Sequence, residues 1–466
     1  MKLKQLRKYF PLLISGGTFM SLFVLYVVFS SPDNSVDIQL SPQHSKYFDE
    51  YGNPSAYDNK YTSESNGILN VRLNNKPGTS EPMITSNPIK PGVFAVVSND
   101  FTAEGSATVF ISENGGKDWT QSAIPLSMIK TDMYYSDPWA EFGSNGNLAF
   151  VTVARRNSEY TRNVVFNISH DNGHTWSNTP AIIKEFESKE VKFDKPKVRF
   201  DEKGNLFVIW VEESGDENTA ISLSKSIDGG KTFSTPFTVE RGEIEYADMV
   251  FSGSNSYLIY SEESEYIKIK TSNDGGSTWS SPELIAEYEP HGEVLDRQRV
   301  IKRMDERGVR VNSDPQIAVA NGMVHVTYSA LSDNGESSEV YYVSGGLSDM
   351  KFSEPVPVSD NPHSDKFMPA LTFDNKGNLH ILYYSSQNDP DNIMTDAYLA
   401  SSFDNGKTFT YSKLSTHSFN PLDIVVGGSY MGDYISIASS KDGLVAVWTD
   451  GRSGNIDLMA GIVKSF

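Results

Sequence analysis

The chain has 466 residues, of which 12% are aromatic and none is cysteine, and its formal net charge is −20. That acidity argues against nucleic acid and anionic lipid as broad partners, and the missing cysteines exclude both disulfide bracing and a lipid-modified cysteine anchor. Abundant Gly, Ser, Asn and Tyr, with few long runs of helix formers, place the chain in the all-β class.

At the N-terminus Lys2, Lys4, Arg7 and Lys8 precede a mostly apolar run from Phe10 to Phe29, broken by Pro11 and by Ser15 to Thr18. The pattern is that of an export signal. No small-x-small cleavage motif follows and the run is long enough to span a bilayer, so residues 1–30 read either as a cleaved signal peptide or as an uncleaved anchor with its basic side inward. Either reading puts the rest outside the cytoplasm, secreted or tethered to the membrane by this segment. The first 30 residues carry four positive charges and no acid, which leaves −24 on the remainder. Residues 31–66, rich in Ser, Pro, Asp, Asn and Tyr, read as a linker or irregular arm.

From residue 67 onward the chain is repetitive. Opening strands are predicted at EPMI (Glu81), DPWAEF (Asp137), DKPKVRF (Asp194), ADMVF (Ala247), DPQIAV (Asp314), DKFMPAL (Asp365) and GDYISIA (Gly432). Second strands are nearly continuous apolar runs, such as NLAFVTVA from Asn147, NLFVIWVE from Asn205 and NLHILYYS from Asn378, as strands buried on both faces should be. Each unit then adds a third strand, a tight turn and a fourth strand. Seven such units predict a β-propeller over 67–466, with six blades if the first or fourth unit is misread. The last unit lacks a fourth strand, and Gly67 to Leu73 is unassigned. Pairing the two would close the ring and remove its open edges.

The turn itself recurs in five close copies: SENGGKDWT from Ser112, SHDNGHTWS from Ser169, SIDGGKTFS from Ser226, SNDGGSTWS from Ser272 and SFDNGKTFT from Ser402. Glycine supplies positive φ, the Asp or Asn two residues earlier can bond nearby amides, and the closing aromatic can pack between blades. In the fifth unit SGGLSDMKFS, from Ser344, is a degenerate version. These turns resemble the Asp boxes, or BNR repeats, of sialidases and many other propellers. The resemblance implies that they lie on the rim away from any chemistry. Sialidases also share an Arg-Ile-Pro motif, an arginine triad, an aspartate acid/base and a tyrosine nucleophile assisted by glutamate. The first opening strand here, EPMITSNP, has no arginine, so the resemblance does not carry strict sialidase activity.

Functional residues are expected on the opposite face, where the inner strands begin. Asp137, Asp194, Asp248, Asp314, Asp365 and Asp433, with Glu81 in the first unit, would form a ring of acids there. Converging carboxylates raise one another's pKa and supply an acid beside a base, or a hard cation such as Ca²⁺ neutralises them; alternatively each Asp caps its own strand. Asp137, Asp194, Asp314, Asp365, Asp433 and Tyr430 are therefore the catalytic candidates. Arg155, Arg452, Trp139, Asp450 and Arg297, the last within the basic insertion Glu289 to Pro315, are the candidates for substrate binding. No metal-ligand His spacing, HExxH, GxSxG or phosphate loop occurs, and Ca²⁺ at the acid ring is the one cofactor left open. The reading is an exported propeller that handles glycans, anionic ones by its arginines, as a sialidase-like glycoside hydrolase; a non-catalytic binding propeller and a polysaccharide lyase remain open.

Overall fold

The computed structural model describes residues 27–29, 36–38 and most of 62–464; within the latter, 66, 75–77, 101–105, 127–132, 157–159, 189, 215–218, 296–297, 302–308, 312–313, 360, 362 and 425–430 fall outside the description. Contacts divide the chain into residues 1–58 and residues 59–466. In the first unit Val27–Phe29 pairs antiparallel with Val36–Ile38. Of the expected export segment, residues 1–30, all but Val27–Phe29 lie outside the described residues.

The second unit consists of seven blades, each an antiparallel meander whose first strand is innermost. The second blade, for example, runs Tyr134–Phe142, Leu148–Arg156, Thr161–Ser169 and Ala181–Glu187. Its second strand is enclosed from Leu148 to Ala154, with Leu148, Ala149, Phe150 and Val151 all at 0% exposure, because neighbouring blades cover both faces. The seventh blade is composite. Ser436–Ser440, Gly443–Asp450 and Asp457–Lys464 come from the C-terminus, and Ile68–Arg72 from the N-terminal side completes them, pairing Val71 with Ala460. A further strand, Thr62–Ser65, lies outside it, within the stretch predicted as an arm.

The repeated turns fold alike. In the third blade Ser226 Oγ donates to Asp228 Oδ1 (2.8 Å) and accepts from the Gly230 amide (2.9 Å), while Asp228 accepts from the Thr232 amide (2.9 Å) and hydroxyl (2.6 Å). The same set recurs around Asp171, Asp274 and Asp404. Each turn also docks on the preceding blade: a Cβ on Gly230 would stand 2.6 Å from the Phe166 ring, and one on Gly406 2.1 Å from the Tyr342 ring. Glycine is thus required twice over, by φ near +80° and by space. In the fifth blade the turn lacks the Ser–Asp lock, and its last strand shrinks to Val356–Pro357.

Candidate active site at the axial mouth

The inner strands do not enter the ring straight. Glu81, Asp137, Lys195 and Met368 take left-handed φ of 47 to 56°, and the ladder to the second strand slips a residue at each place. Each precedes a proline: Pro82, Pro138, Pro196 and Pro369. Proline has no amide to give the ladder, so a bulge there forgoes no hydrogen bond from it, and a bulge turns one side chain out of the alternating pattern. This device brings Glu81, Asp137 and Lys195 together around the axis.

The resulting cluster joins five blades and the insertion before the fifth. Glu81 is fully buried; it accepts from Asn99 Nδ2 and from the Asp433 amide (3.0 Å), while Asn99 Oδ1 accepts from the Asp137 amide (3.0 Å). Lys195 Nζ donates to both oxygens of Asp314 at 2.9 Å, and Arg310, from the insertion, donates to Asp433 Oδ2 at 2.8 Å. Tyr434 Oη reaches the Pro138 carbonyl (3.3 Å), tying the seventh inner strand to the second. Asp137, Asp194 and Lys195 keep part of their surface exposed, whereas Asp314 and Asp433 are buried.

Electrostatics follow from this crowding. Burial pushes Asp137 well above the usual carboxylate range, and Asp194, Glu81 and Asp433 add to the shift. Burial likewise lifts Asp433, against the pull of Lys195 and with Glu81 adding to it, to about 7. Burial disfavours the Lys195 ammonium, but Asp314, Asp433 and Asp194 outweigh it and raise its pKa. Tyr434 is held far above its ordinary value by burial and by Glu81, Asp137 and Asp433, so it stays a phenol. The mouth therefore sets carboxyls of raised proton affinity beside cations.

A second ionic layer forms its floor. Arg199 bonds Asp248 (2.7 Å) and Glu141 (2.8 Å), Lys197 pairs with Asp248 (3.0 Å), and Lys197 and Arg199 lie over the Trp139 ring, at 4.2 and 5.0 Å. Burial pulls Lys197 down to about 8 despite Asp248. Below this layer a cavity of about 510 Å³ continues between the later parts of the inner strands, lined by Trp139, Glu141, Arg199 and Gln316 above and Asp374 and Lys441 below.

Of the residues expected from sequence, Asp137, Asp194, Asp314 and Asp433 meet at the mouth. Asp365 sits apart, receiving the Ser338 amide (2.9 Å) and Asn392 Nδ2 (2.7 Å), with His291 of the insertion 3.2 Å away. Asp450 is buried, bonded by Trp448 Nε1 (2.8 Å) and by Arg452 Nε and Nη2 (2.8 and 2.6 Å), so the Asp450–Arg452 pair is internal to the seventh blade. Trp139 is buried beneath the cations and presents no open stacking face. Arg155 is exposed at the end of the second strand of its blade. Tyr430 and Arg297 lie outside the described residues. Among the described residues no group of three or more His, Cys, Asp or Glu has the geometry to hold a metal ion. Lys195, Asn99 and Tyr434 were not expected; the lysine was legible, since it stands before a proline at the same point of its strand as Glu81 and Asp137.

No protein-family model and no curated protein matches the chain. Solved structures match it in fold. A polysaccharide lyase, an ulvan lyase bound to a glucuronic acid and sulfated rhamnose disaccharide, aligns over 83% of this chain and 94% of its own at 10% identity, with a TM-score of 0.51. A Hadza microbial sialidase aligns over 82% of this chain at 13% identity and TM-score 0.48, and the alignment spans 65% of that protein. The NanB sialidase of Streptococcus pneumoniae aligns over 87% of this chain and 98% of its own at 9% identity and TM-score 0.46. The seven-bladed β-propeller is thus seen in the chain's own sheets, and the ulvan lyase shares its fold.

Proposed function

We propose that the protein is a glycan-processing propeller, a glycoside hydrolase acting on anionic glycans at the axial mouth. One observation carries this reading: Asp137, partly open to solvent, is pushed toward its acid form by burial and by Asp194, Glu81 and Asp433, with the Lys195 cation in the same cluster. A carboxylic acid that keeps its proton at neutral pH can protonate a departing glycosidic oxygen, while a second carboxylate, here Asp194, activates water or attacks the sugar. Lys195 and Arg310 add positive charge for a sugar carboxylate or sulfate. The repeated turns, with one hydrogen-bond set in copy after copy, are read as Asp boxes. Residues 1–30 are read as an export signal or anchor that delivers the ring outside the cytoplasm; protease added to intact cells would digest a ring placed there and spare one inside.

The decisive assay incubates the protein with uronic and sulfated polysaccharides and follows both new reducing ends and the ultraviolet absorbance of unsaturated uronyl ends. Hydrolysis gives the first without the second, and Asp137→Asn lowers it by about a hundredfold or more. Unsaturated ends would replace the hydrolase by a lyase, a class that the ulvan-lyase fold makes a direct alternative. Binding without either product would mark a non-catalytic propeller.

A further inference from the structure

The second blade carries a charged row that the axial chemistry does not use. Its four strands align Tyr134, Arg155, Arg162 and Phe186 as successive partners on one rung. Partners directly opposite in antiparallel strands project from the same face, so these side chains stand side by side. Tyr134 and Phe186 are 46% and 41% exposed, and Arg155 is exposed as well. The rung starts on the inner strand, three residues before Asp137, and crosses to the blade's outer edge, about 14 Å at roughly 4.8 Å per strand.

The row is unbalanced. Two guanidinium groups directly opposite repel, and among the described residues neither has an ion pair with an acid. The acids of the outer strand, Glu185 and Glu187, pair with Asn163 and Thr161 and so face the other way. Lys184, two residues from Phe186 on the same face, places its ammonium 5.7 Å from that ring. Burial and the Arg155 charge both pull Arg162 below its ordinary pKa, the mark of a cation short of a counter-ion. On a chain of net charge −20, this is a local positive patch framed by two aromatic rings.

We infer that the rung Tyr134–Arg155–Arg162–Phe186 is a subsite for a sulfate or carboxylate carried on a sugar ring, two guanidinium forks taking the anion while an aromatic ring receives a sugar face. Guanidinium forks match the paired oxygens of both groups, and an anion between the arginines turns their repulsion into attraction. A glycan seated there would lead inward to the mouth. The inference rests on the glycan reading for the sugar and on the rung alone for the anion.

Calorimetry of the whole protein with a dextran sulfate oligosaccharide, unsulfated dextran of the same length and sodium sulfate separates the sources. The sulfated sugar should bind, with about a tenfold or greater loss in R155Q/R162Q, a smaller loss in R155K/R162K, and a loss of a few-fold in Phe186→Ala. Lys192→Ala, an exposed lysine paired with Glu213 at 2.8 Å, should bind as the parent does. R155Q alone repeats the test at an exposed side chain should the double variant fold poorly. Undiminished binding in R155Q/R162Q, equal loss in Lys192→Ala, or sodium sulfate binding as tightly as the sulfated sugar would each overturn the assignment. Asp137→Asn should keep this binding, so a protein that binds the sulfated sugar through the rung yet cleaves nothing would retire the proposed chemistry and leave the subsite standing.

Discussion

Aspartates stand at both ends of the blades, and the two sets are driven in opposite directions. On the rim of repeated turns, Asp228 is exposed and accepts from the Thr232 hydroxyl, the Thr232 amide and Ser226, which together lower its pKa to about 2. At the axial mouth Asp433 is buried among other acids and rises to about 7, although Lys195 and Arg310 oppose the shift. Donors that point at a carboxylate favour its charge, while lost water and like-charged neighbours disfavour it. One residue type thus serves as a staple where donors surround it and as a proton store where acids surround it. The turns hold the blades in register, and the mouth gathers the acids on which the proposed chemistry depends.

The sharpest way to break this contrast is to neutralise one aspartate from each set. Asp137→Asn should lower glycan turnover by about a hundredfold or more with little change in folding, as loss of a general acid does. Asp228→Asn should leave turnover unchanged. Equal effects on rate would remove the distinction between the rims.

A second comparison lies within the turn. Gly230→Val places a β-branched residue at φ +85° and against the Phe166 ring, and should cost about 3 kcal/mol or more in chemical denaturation. Gly229→Ala, at φ +75° with nothing within 4 Å, meets only the backbone penalty of about 1 kcal/mol. Similar losses would mean that docking on the preceding blade contributes nothing.

The smallest effects are in pH, and their signs differ. Asp433 binds its proton more tightly folded than unfolded, so its contribution to stability is full below about pH 4 and fades as pH rises to about 7. Asp433→Asn should therefore gain in melting temperature relative to the parent across that window. Asp228 has the opposite linkage: its contribution is present above about pH 4 and is lost as pH falls toward 2, so Asp228→Asn should be destabilised at neutral pH and level with the parent in strong acid. Melting curves at several pH values decide both, and parallel trends would contradict the opposed environments.

Much of the ring could be read from the chain because its signals are local. The double-sided burial of Leu206 to Val211 is written in an unbroken apolar run, and the turn chemistry of Ser226 to Thr232 lies within seven consecutive residues. Closure by Ile68–Arg72 followed from counting, since one strand was missing at the end and one was spare at the start. Thr62–Ser65 was not legible: a short polar edge strand has no periodicity of its own and exists because Ile68–Arg72 offers it a partner.

The mouth shows where such reading stops. That acids begin the inner strands is a fact of sequence, and so is the proline after Glu81, Asp137 and Lys195. Which acids meet is a matter of distances across the axis between residues up to 352 apart in the chain, as in the bond from the Asp433 amide to Glu81. Asp365 carries the same local pattern of an acid opening an inner strand, yet it is taken up by Ser338 and Asn392. Arg452 stands just past the second strand of its blade, where a ligand-binding arginine was expected, yet its guanidinium closes on Asp450, two residues away. Sequence alone determined the meander of each blade and its turn, because these depend on hydrogen bonds and burial between neighbours in the chain; it left six or seven blades open, and the structure has seven, the last completed by Ile68–Arg72 from the other end. Tertiary structure alone decided which charges are paired, which are buried and which hold a proton, because a carboxylate's charge state is set by every group around it, whatever its place in the chain.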